Sequence, residues 1–420
     1  MLKKVYKSEL KGEIIARPSK SFAHRYLIAS ALSDTESTIS NVDFSNDIIA
    51  TLNCIHAYGK SHYRDFEKNE VIFKNNSSKI FFPTFDCQES GTTLRIFFPI
   101  AIQKYNKTNF IGTDRLIERG IDIYEKIFKY VSFTKDKYSI KTNGLLNEGQ
   151  YELPGNISSQ YISGLLYALP LLKNDSKIII NTKLESKNYI LMTLQVLNKY
   201  GINIQSNNNI FNSLDEKSYL NSSNDFDFNT NLVFLVPGNQ KYIANNNSIE
   251  GDYSNAAFID AFNYFGNEIV LNGLNPDSLQ SDKIYKKIFD KLESCFAEID
   301  ISNCIDLGPI LITFAALKNG AKFINTSRLK IKESDRGKAI AEELAKCNAD
   351  ISILDNEIIV KKNKLNRPKE ALNSHNDHRI AMSLSLLSTL FDVEIDGAEC
   401  VSKSYPGYFD DLKKLGMHVE

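Results

Sequence analysis

The segment Lys332-Glu333-Ser334-Asp335-Arg336 sets two cations, two carboxylates and a hydroxyl in five consecutive positions. Hydrophobic patterning places it between a strand at 321–325 and a helix at 337–346. A cluster this polar is poor core material. At a helix start it suits a polyanionic ligand, because free backbone N–H groups and the helix dipole favour phosphate or carboxylate. Other helix-start and elbow segments carry similar side chains: Lys20, Ser21 and Arg25; Gly91 and Thr92; Ser158, Ser159 and Gln160; Asp306; Asp377, His378 and Arg379; and Arg115, Ser186, Tyr189 and Lys403. Arginine forks bind carboxylate and phosphate bidentately, and lysine acts as a point charge. Taken one by one, the hydroxyls are ordinary N-caps. Together the set suits two small, heavily anionic molecules, with Asp306, Glu333 and Lys20 as groups able to move protons.

These residues fall on a recurring pattern. A polar head opens an apolar helix, a short β-rich stretch follows, and a polar connector leads to an amphipathic helix. The heads lie at 19–21, 89–93, 158–160, 251–254, 306 and 377–379. Alternating hairpin-like runs separate the units, so each reads as βαβαββ. The first helix of a unit is apolar nearly all round, which implies burial on every side. The second unit's outer helix is expected at 120–130. Six units imply two lobes of three, one formed by 1–19 and 240–420 and the other by 20–239. An Asn- and Ser-rich insertion at 206–231 precedes the boundary. With this alternation, six helix N-termini are expected to face one cleft, concentrating positive potential without net positive charge.

Composition narrows the partners. The 420 residues are 42% hydrophobic and 24% charged, with a formal net charge of −1. That is an ordinary folded protein without the basic field of a nucleic-acid binder. The six cysteines include no C-x-x-C pair, which argues against a zinc site or a disulfide framework and fits a reducing compartment. The first seven residues hold no apolar core of a signal peptide, and no apolar run reaches membrane length. A cytoplasmic monomer acting on small molecules, without nucleic-acid or membrane partners, is expected.

In order along the chain stand Pro18-Ser19-Lys20-Ser21 with Arg25, Ser90-Gly91-Thr92-Thr93 with Arg95, Ser158-Ser159-Gln160, the 332–336 segment, Asp377-His378-Arg379, and Lys403 with Pro406 and Phe409. This set resembles the 5-enolpyruvylshikimate-3-phosphate (EPSP) synthase family, over residues 12 to 415. The resemblance implies an α/β fold of two lobes, an inside-out α/β barrel of six βαβαββ units. It implies transfer of the enolpyruvyl group of phosphoenolpyruvate to the 5-hydroxyl of shikimate 3-phosphate by addition and elimination, with no metal or organic cofactor. By the same resemblance, Lys20, Gly91, Arg115, Arg336, Arg379 and Lys403 would hold phosphoenolpyruvate. Lys20, Ser21, Arg25, Ser158, Ser159, Gln160, Ser186, Tyr189, Asp306 and Lys332 would hold shikimate 3-phosphate. Catalysis would fall to Lys20, Asp306 and Glu333, with Asp306 as base toward the hydroxyl and Glu333 at the methylene carbon. Gly91 would leave room for the inhibitor glyphosate. Two positions depart from the family pattern: Glu89 stands where Asn is common, and Arg328 replaces an Asn. The sister enolpyruvyl transferase acting on UDP-N-acetylglucosamine, and a catalytically silent binding protein of the same fold, remain the alternatives.

Overall fold

The computed structural model describes residues 1–77, 80–212 and 231–420. Most of the Asn- and Ser-rich insertion, at 213–230, lies outside the described residues. The chain divides into two compact units. One comprises Lys20–Ile249 with Pro276–Leu279, here the Lys20 unit. The other comprises Met1–Ser19, Glu250–Asn275 and Gln280–Glu420, here the Arg336 unit. Residues 240–249, placed by sequence with the second lobe, pack in the Lys20 unit. The reason is burial: Tyr242 and Ile249 belong to its core, and Asn247–Ser248 adds a parallel edge to Ser37–Ser40. Leu279 buries in the same core, and Asn188 Nδ2 donates to its carbonyl at 2.9 Å.

The Lys20 unit holds three four-stranded sheets, each with one parallel and two antiparallel pairings. Thr84–Asp86, for example, runs parallel to Lys107–Ile111, which pairs with the hairpin Ser132–Lys135 and Ser139–Asn143. The Arg336 unit has one sheet of this kind, Ala297–Asp300, Ala321–Ile324, Glu357–Lys361 and Asp350–Ile353. Its other two sheets are shorter. Among the described residues Lys11–Ile15 pairs with Glu268–Asn272 alone; the chain passes from the helix Tyr285–Ser294 directly into Ala297–Asp300 of the next sheet. Val393–Asp396 lies between Leu372–Asn373 and the distant segment Lys3–Val5. Among the described residues, the full βαβαββ strand set is therefore present in four of the six sheets.

In each unit the apolar helices form the interior. In the Lys20 unit these are α1 (Lys20–Leu32), α3 (Gly91–Lys104) and α6 (Ser159–Ala168). In the Arg336 unit, every residue of Tyr253–Asp260 and His378–Ser385 is buried. The sheets are less covered; the strand Gln150–Leu153, for instance, alternates exposed and buried residues. Helices α2 (Asn46–Ala57) and α7 (Lys187–Lys199) bury one face each. The single helix expected at 120–130 is instead two short ones, α4 (Asp114–Arg119) and α5 (Asp122–Ile127). Gly120 breaks them, with φ of +55°, a conformation that glycine adopts without the Cβ penalty. Its carbonyl is capped by Arg95 Nε at 3.3 Å and the Tyr161 hydroxyl at 3.2 Å. Among the described residues no helix is long and apolar enough to cross a membrane.

The ring of Phe98 sits among Phe110 (4.7 Å), Tyr124 (5.7 Å) and Phe128 (6.5 Å) and is fully buried. Replacing it removes dispersion contacts and leaves a cavity. Phe98→Ala is expected to cost about 3–5 kcal/mol, read as a lower urea midpoint; a shift below about 1 kcal/mol would show that the core collapses around the gap.

Candidate active site

In the Arg336 unit the polar segments converge on one guanidinium. Arg336 opens its helix behind an N-cap, Asp335, whose carboxylate accepts from Lys338 N at 3.2 Å. The Arg336 side chain is 1% exposed and meets three carboxylates. Nε donates to Asp377 at 2.8 Å, Nη1 to Asp306 at 2.7 Å, and Nη2 to Glu333 at 2.6 Å. Lys332 Nζ lies 3.1 Å from the same Asp306 oxygen. Arg379 Nη1 donates to the Asp306 carbonyl at 3.0 Å, and its Nε is 3.8 Å from the carboxylate. Asp377 also caps the helix His378–Ser385 by accepting from Arg379 N at 3.0 Å, and it accepts from the Ser334 hydroxyl at 3.0 Å. His378 is buried next to it, and Lys403 donates to the Asn376 carbonyl. Thus Asp306, Lys332, Glu333, Arg336, Arg379 and Asp377 form one network.

Electrostatics follow from this packing. Burial alone would raise the Asp306 carboxyl, but Lys332, Arg379 and Arg336 outweigh it and hold the group well below the usual carboxylate range. Burial pulls the Lys332 ammonium down, against the pull of Asp306. Asp282 is 2% exposed and lies in the same field. Burial first, and then the charge of Asp306, pushes its carboxyl up to about 7. The Ser254 hydroxyl contacts one of its oxygens, and the other has no hydrogen-bond partner among the described residues. Nothing in the sequence singled out Asp282, since its character comes from burial beside Asp306. Arg328, one of the two departures noted above, is buried and donates to the Ser302 carbonyl.

In the Lys20 unit, hydrogen bonds join the first turns of several helices. Lys20 Nζ at the start of α1 pairs with Asp47 of α2 at 2.9 Å. Arg25 donates to Thr193 Oγ1 at 2.9 Å, to the Ser21 carbonyl at 2.7 Å and to the Tyr189 carbonyl at 2.9 Å. Its guanidinium also lies 5.7 Å from the centre of the Tyr189 ring. These partners are neutral, so they position the guanidinium without cancelling its charge. Gln160 of α6 donates to Thr92 of α3 at 2.9 Å and accepts from Arg95 at 3.0 Å. Ser158 is the N-cap of α6, accepting from Gln160 N at 3.3 Å, and Ser159 is buried beside it. Ser186 begins α7 with φ of +54°, a left-handed conformation that costs energy in a non-glycine residue.

Two arginines on α4 differ sharply. Arg115 is 41% exposed on its side chain and pairs with Glu118 at 3.0 Å. Arg119, which the sequence reading did not select, extends toward Gly91. A Cβ on Gly91 would lie 3.1 Å from the Arg119 guanidinium and 3.5 Å from that of Arg95. The missing Cβ therefore lets two guanidiniums close on the N-terminus of α3. Spacing could not separate Arg115 from Arg119, because both stand in the same short polar helix and only the packing shows which one reaches Gly91.

The sequence model of the EPSP synthase (3-phosphoshikimate 1-carboxyvinyltransferase) family matches residues 5–213 and 227–412. The chain belongs to the EPSP synthase family. Similar curated relatives are the 3-phosphoshikimate 1-carboxyvinyltransferases of Clostridium perfringens, 41% identical over 97% of both chains, and of Clostridium botulinum, 38% identical over 98% of this chain and 97% of that one. Family membership extends to the fold. The EPSP synthase structure from Acinetobacter baumannii matches with a TM-score of 0.74 at 19% identity, over 100% of this chain and 99% of that one. The enolpyruvyl transferase NikO from Streptomyces tendae matches with 0.74 at 13% identity, over 100% and 98%.

The raised Asp282 carboxyl carries a sign for stability. Between the ordinary aspartate value of about 3.9 and about 7, the folded chain holds a proton that the unfolded chain releases. Stability from this group therefore falls as pH rises through that window. Asp282→Asn, neutral and of the same shape, is expected to gain stability over the parent at about pH 8 and less at about pH 5. Urea titrations at both pH values read this; parallel shifts at the two would refute it.

Proposed function

We propose that the chain catalyses transfer of the enolpyruvyl group of phosphoenolpyruvate to the 5-hydroxyl of shikimate 3-phosphate, releasing phosphate. The observation that carries this reading is the network in which Lys332, Arg336 and Arg379 surround Asp306, within a family of that activity. In the addition step the 5-hydroxyl oxygen bonds to C2 of phosphoenolpyruvate, the hydroxyl proton leaves to a base, and the C3 methylene gains a proton. Elimination then takes a proton from the new methyl group and breaks the C2–O bond to phosphate.

Asp306 serves as the base toward the hydroxyl and Glu333 serves the methylene carbon, with Lys20 as the cationic acid–base group. A carboxylate held by three cations is a weak base. The arriving phosphoenolpyruvate anion competes for Arg336 and Arg379, and this competition returns basicity to Asp306 when substrate is bound. Lys403 and Gly91 complete the phosphoenolpyruvate set, and Arg119 takes the place assigned from sequence to Arg115. Ser21, Arg25, Ser158, Ser159, Gln160, Ser186, Tyr189 and Lys332 hold shikimate 3-phosphate, with Arg25 supplying charge from among neutral partners. The protein acts in the cytoplasm as a monomer, without nucleic-acid or membrane partners and without a metal or organic cofactor.

Phosphate release from phosphoenolpyruvate, without added metal, should require shikimate 3-phosphate. Release only with UDP-N-acetylglucosamine would assign the chain to the sister activity, and release with neither would end the enzymatic reading. Loss of a charge-assisted contact is worth roughly 1.5–3 kcal/mol. Arg119→Gln should therefore raise KM for phosphoenolpyruvate on the order of 10- to 100-fold, and Arg115→Gln only slightly. The reverse order would restore Arg115. Gly91→Ala, which crowds the Arg119 guanidinium, should raise the same KM and weaken glyphosate inhibition; unchanged inhibition would remove the steric argument.

A further inference from the structure

Beneath the Lys20–Asp47 pair lies a buried chain of polar side chains. His24 stands one turn after Lys20 on α1, Thr51 one turn after Asp47 on α2, and Thr93 in the first turn of α3. His24, Thr51, Thr93 and Ser90 are all 0% exposed. His24 Nδ1 is 2.7 Å from Thr51 Oγ1, which is 2.7 Å from Thr93 Oγ1. Thr93 Oγ1 in turn is 2.8 Å from Ser90 Oγ, which also accepts from Thr93 N at 3.2 Å.

The direction of this chain follows from counting protons. Thr93 has one hydroxyl proton, directed at Ser90 Oγ with the Asp47 carbonyl as a weaker second acceptor at 3.5 Å, so it must accept from Thr51. Thr51 has then used its own proton and must accept from His24. The imidazole therefore carries its proton on Nδ1. Its Nε2 is buried with no hydrogen-bond partner among the described residues. A second proton there would bury a cation beside Lys20 and Arg25. Burial, then Lys20 and Arg25, holds the imidazole well below its usual range and so keeps it neutral.

We propose that His24 is a positioning residue for the transferase site. Its Nδ1–H begins a one-way hydrogen-bond chain through Thr51 and Thr93 to Ser90, which locks the starts of α1, α2 and α3 and so the placement of Lys20, Asp47 and the Gly91 turn. The proposal rests on the reading that these residues bind substrate. Every link of the chain lies within one compact unit.

The test has two arms. Nitrogen NMR of histidine-labelled full-length protein should show His24 protonated at Nδ1, bare at Nε2, and unchanged across the neutral range. An Nε2–H tautomer, or titration near pH 6.5, overturns the proposal. In kinetics, His24→Asn places an amide donor near the Nδ1 position and should keep kcat/KM within about threefold of the parent. His24→Gln, whose amide sits one methylene further out, should raise KM for phosphoenolpyruvate about tenfold with a smaller change in kcat, as expected for one misdirected buried hydrogen bond. Folded His24→Gln protein with unchanged KM overturns the proposal. Wild-type activity is the control. Its absence would defeat the functional reading, and the tautomer would then decide the hydrogen-bond chain alone.

Discussion

A guanidinium that is 1% exposed cannot lose its charge, so the fold around Arg336 has to supply anions. It supplies Asp306, Glu333 and Asp377, each from a different segment of the chain. Two of these carboxylates do something else as well. Asp377 caps the helix that carries Arg379, and Asp306 gathers Lys332 and Arg379. Removing any one member leaves a buried charge short of a partner, which is costlier than the pair is stabilising. The network is thus held together by the penalty for breaking it. Its cations set the charge state of Asp306, so any anion that competed for them would raise that carboxyl.

The Lys20 unit meets a similar demand by other means. Arg25 is buried against two carbonyls and a threonine hydroxyl. These oxygens satisfy its donors and hold its direction while leaving a net positive charge. Around it, the first turns of α1, α2, α3, α6 and α7 are tied by side-chain bonds, so their free N–H groups are held in fixed places. One unit therefore balances its cations with carboxylates, and the other keeps a cation uncancelled.

The two arginines of α4 show where sequence reasoning stopped. Both lie in a polar elbow at a plausible spacing, and only the folded packing shows that Arg119 reaches toward Gly91 while Arg115 pairs with Glu118. Asp282 is a second case, because an aspartate in an ordinary polar stretch gains a raised carboxyl only through burial beside Asp306. His24 is a third. Its spacing from Lys20 was visible, but the threonines that give it a direction come from other helices.

By itself the sequence determined the α/β class, the repeated order of buried helix and strand, the polar segments at the helix starts, and the family to which the chain belongs. These are local properties: periodicity, helix-start residue types and contiguous motifs are written in neighbouring positions. Only the tertiary structure decided which cation meets which carboxylate, which of two arginines approaches the glycine turn, and which sheets keep all four strands. Those outcomes depend on residues far apart in sequence competing for the same buried space, where each charge must find a partner and each strand an edge.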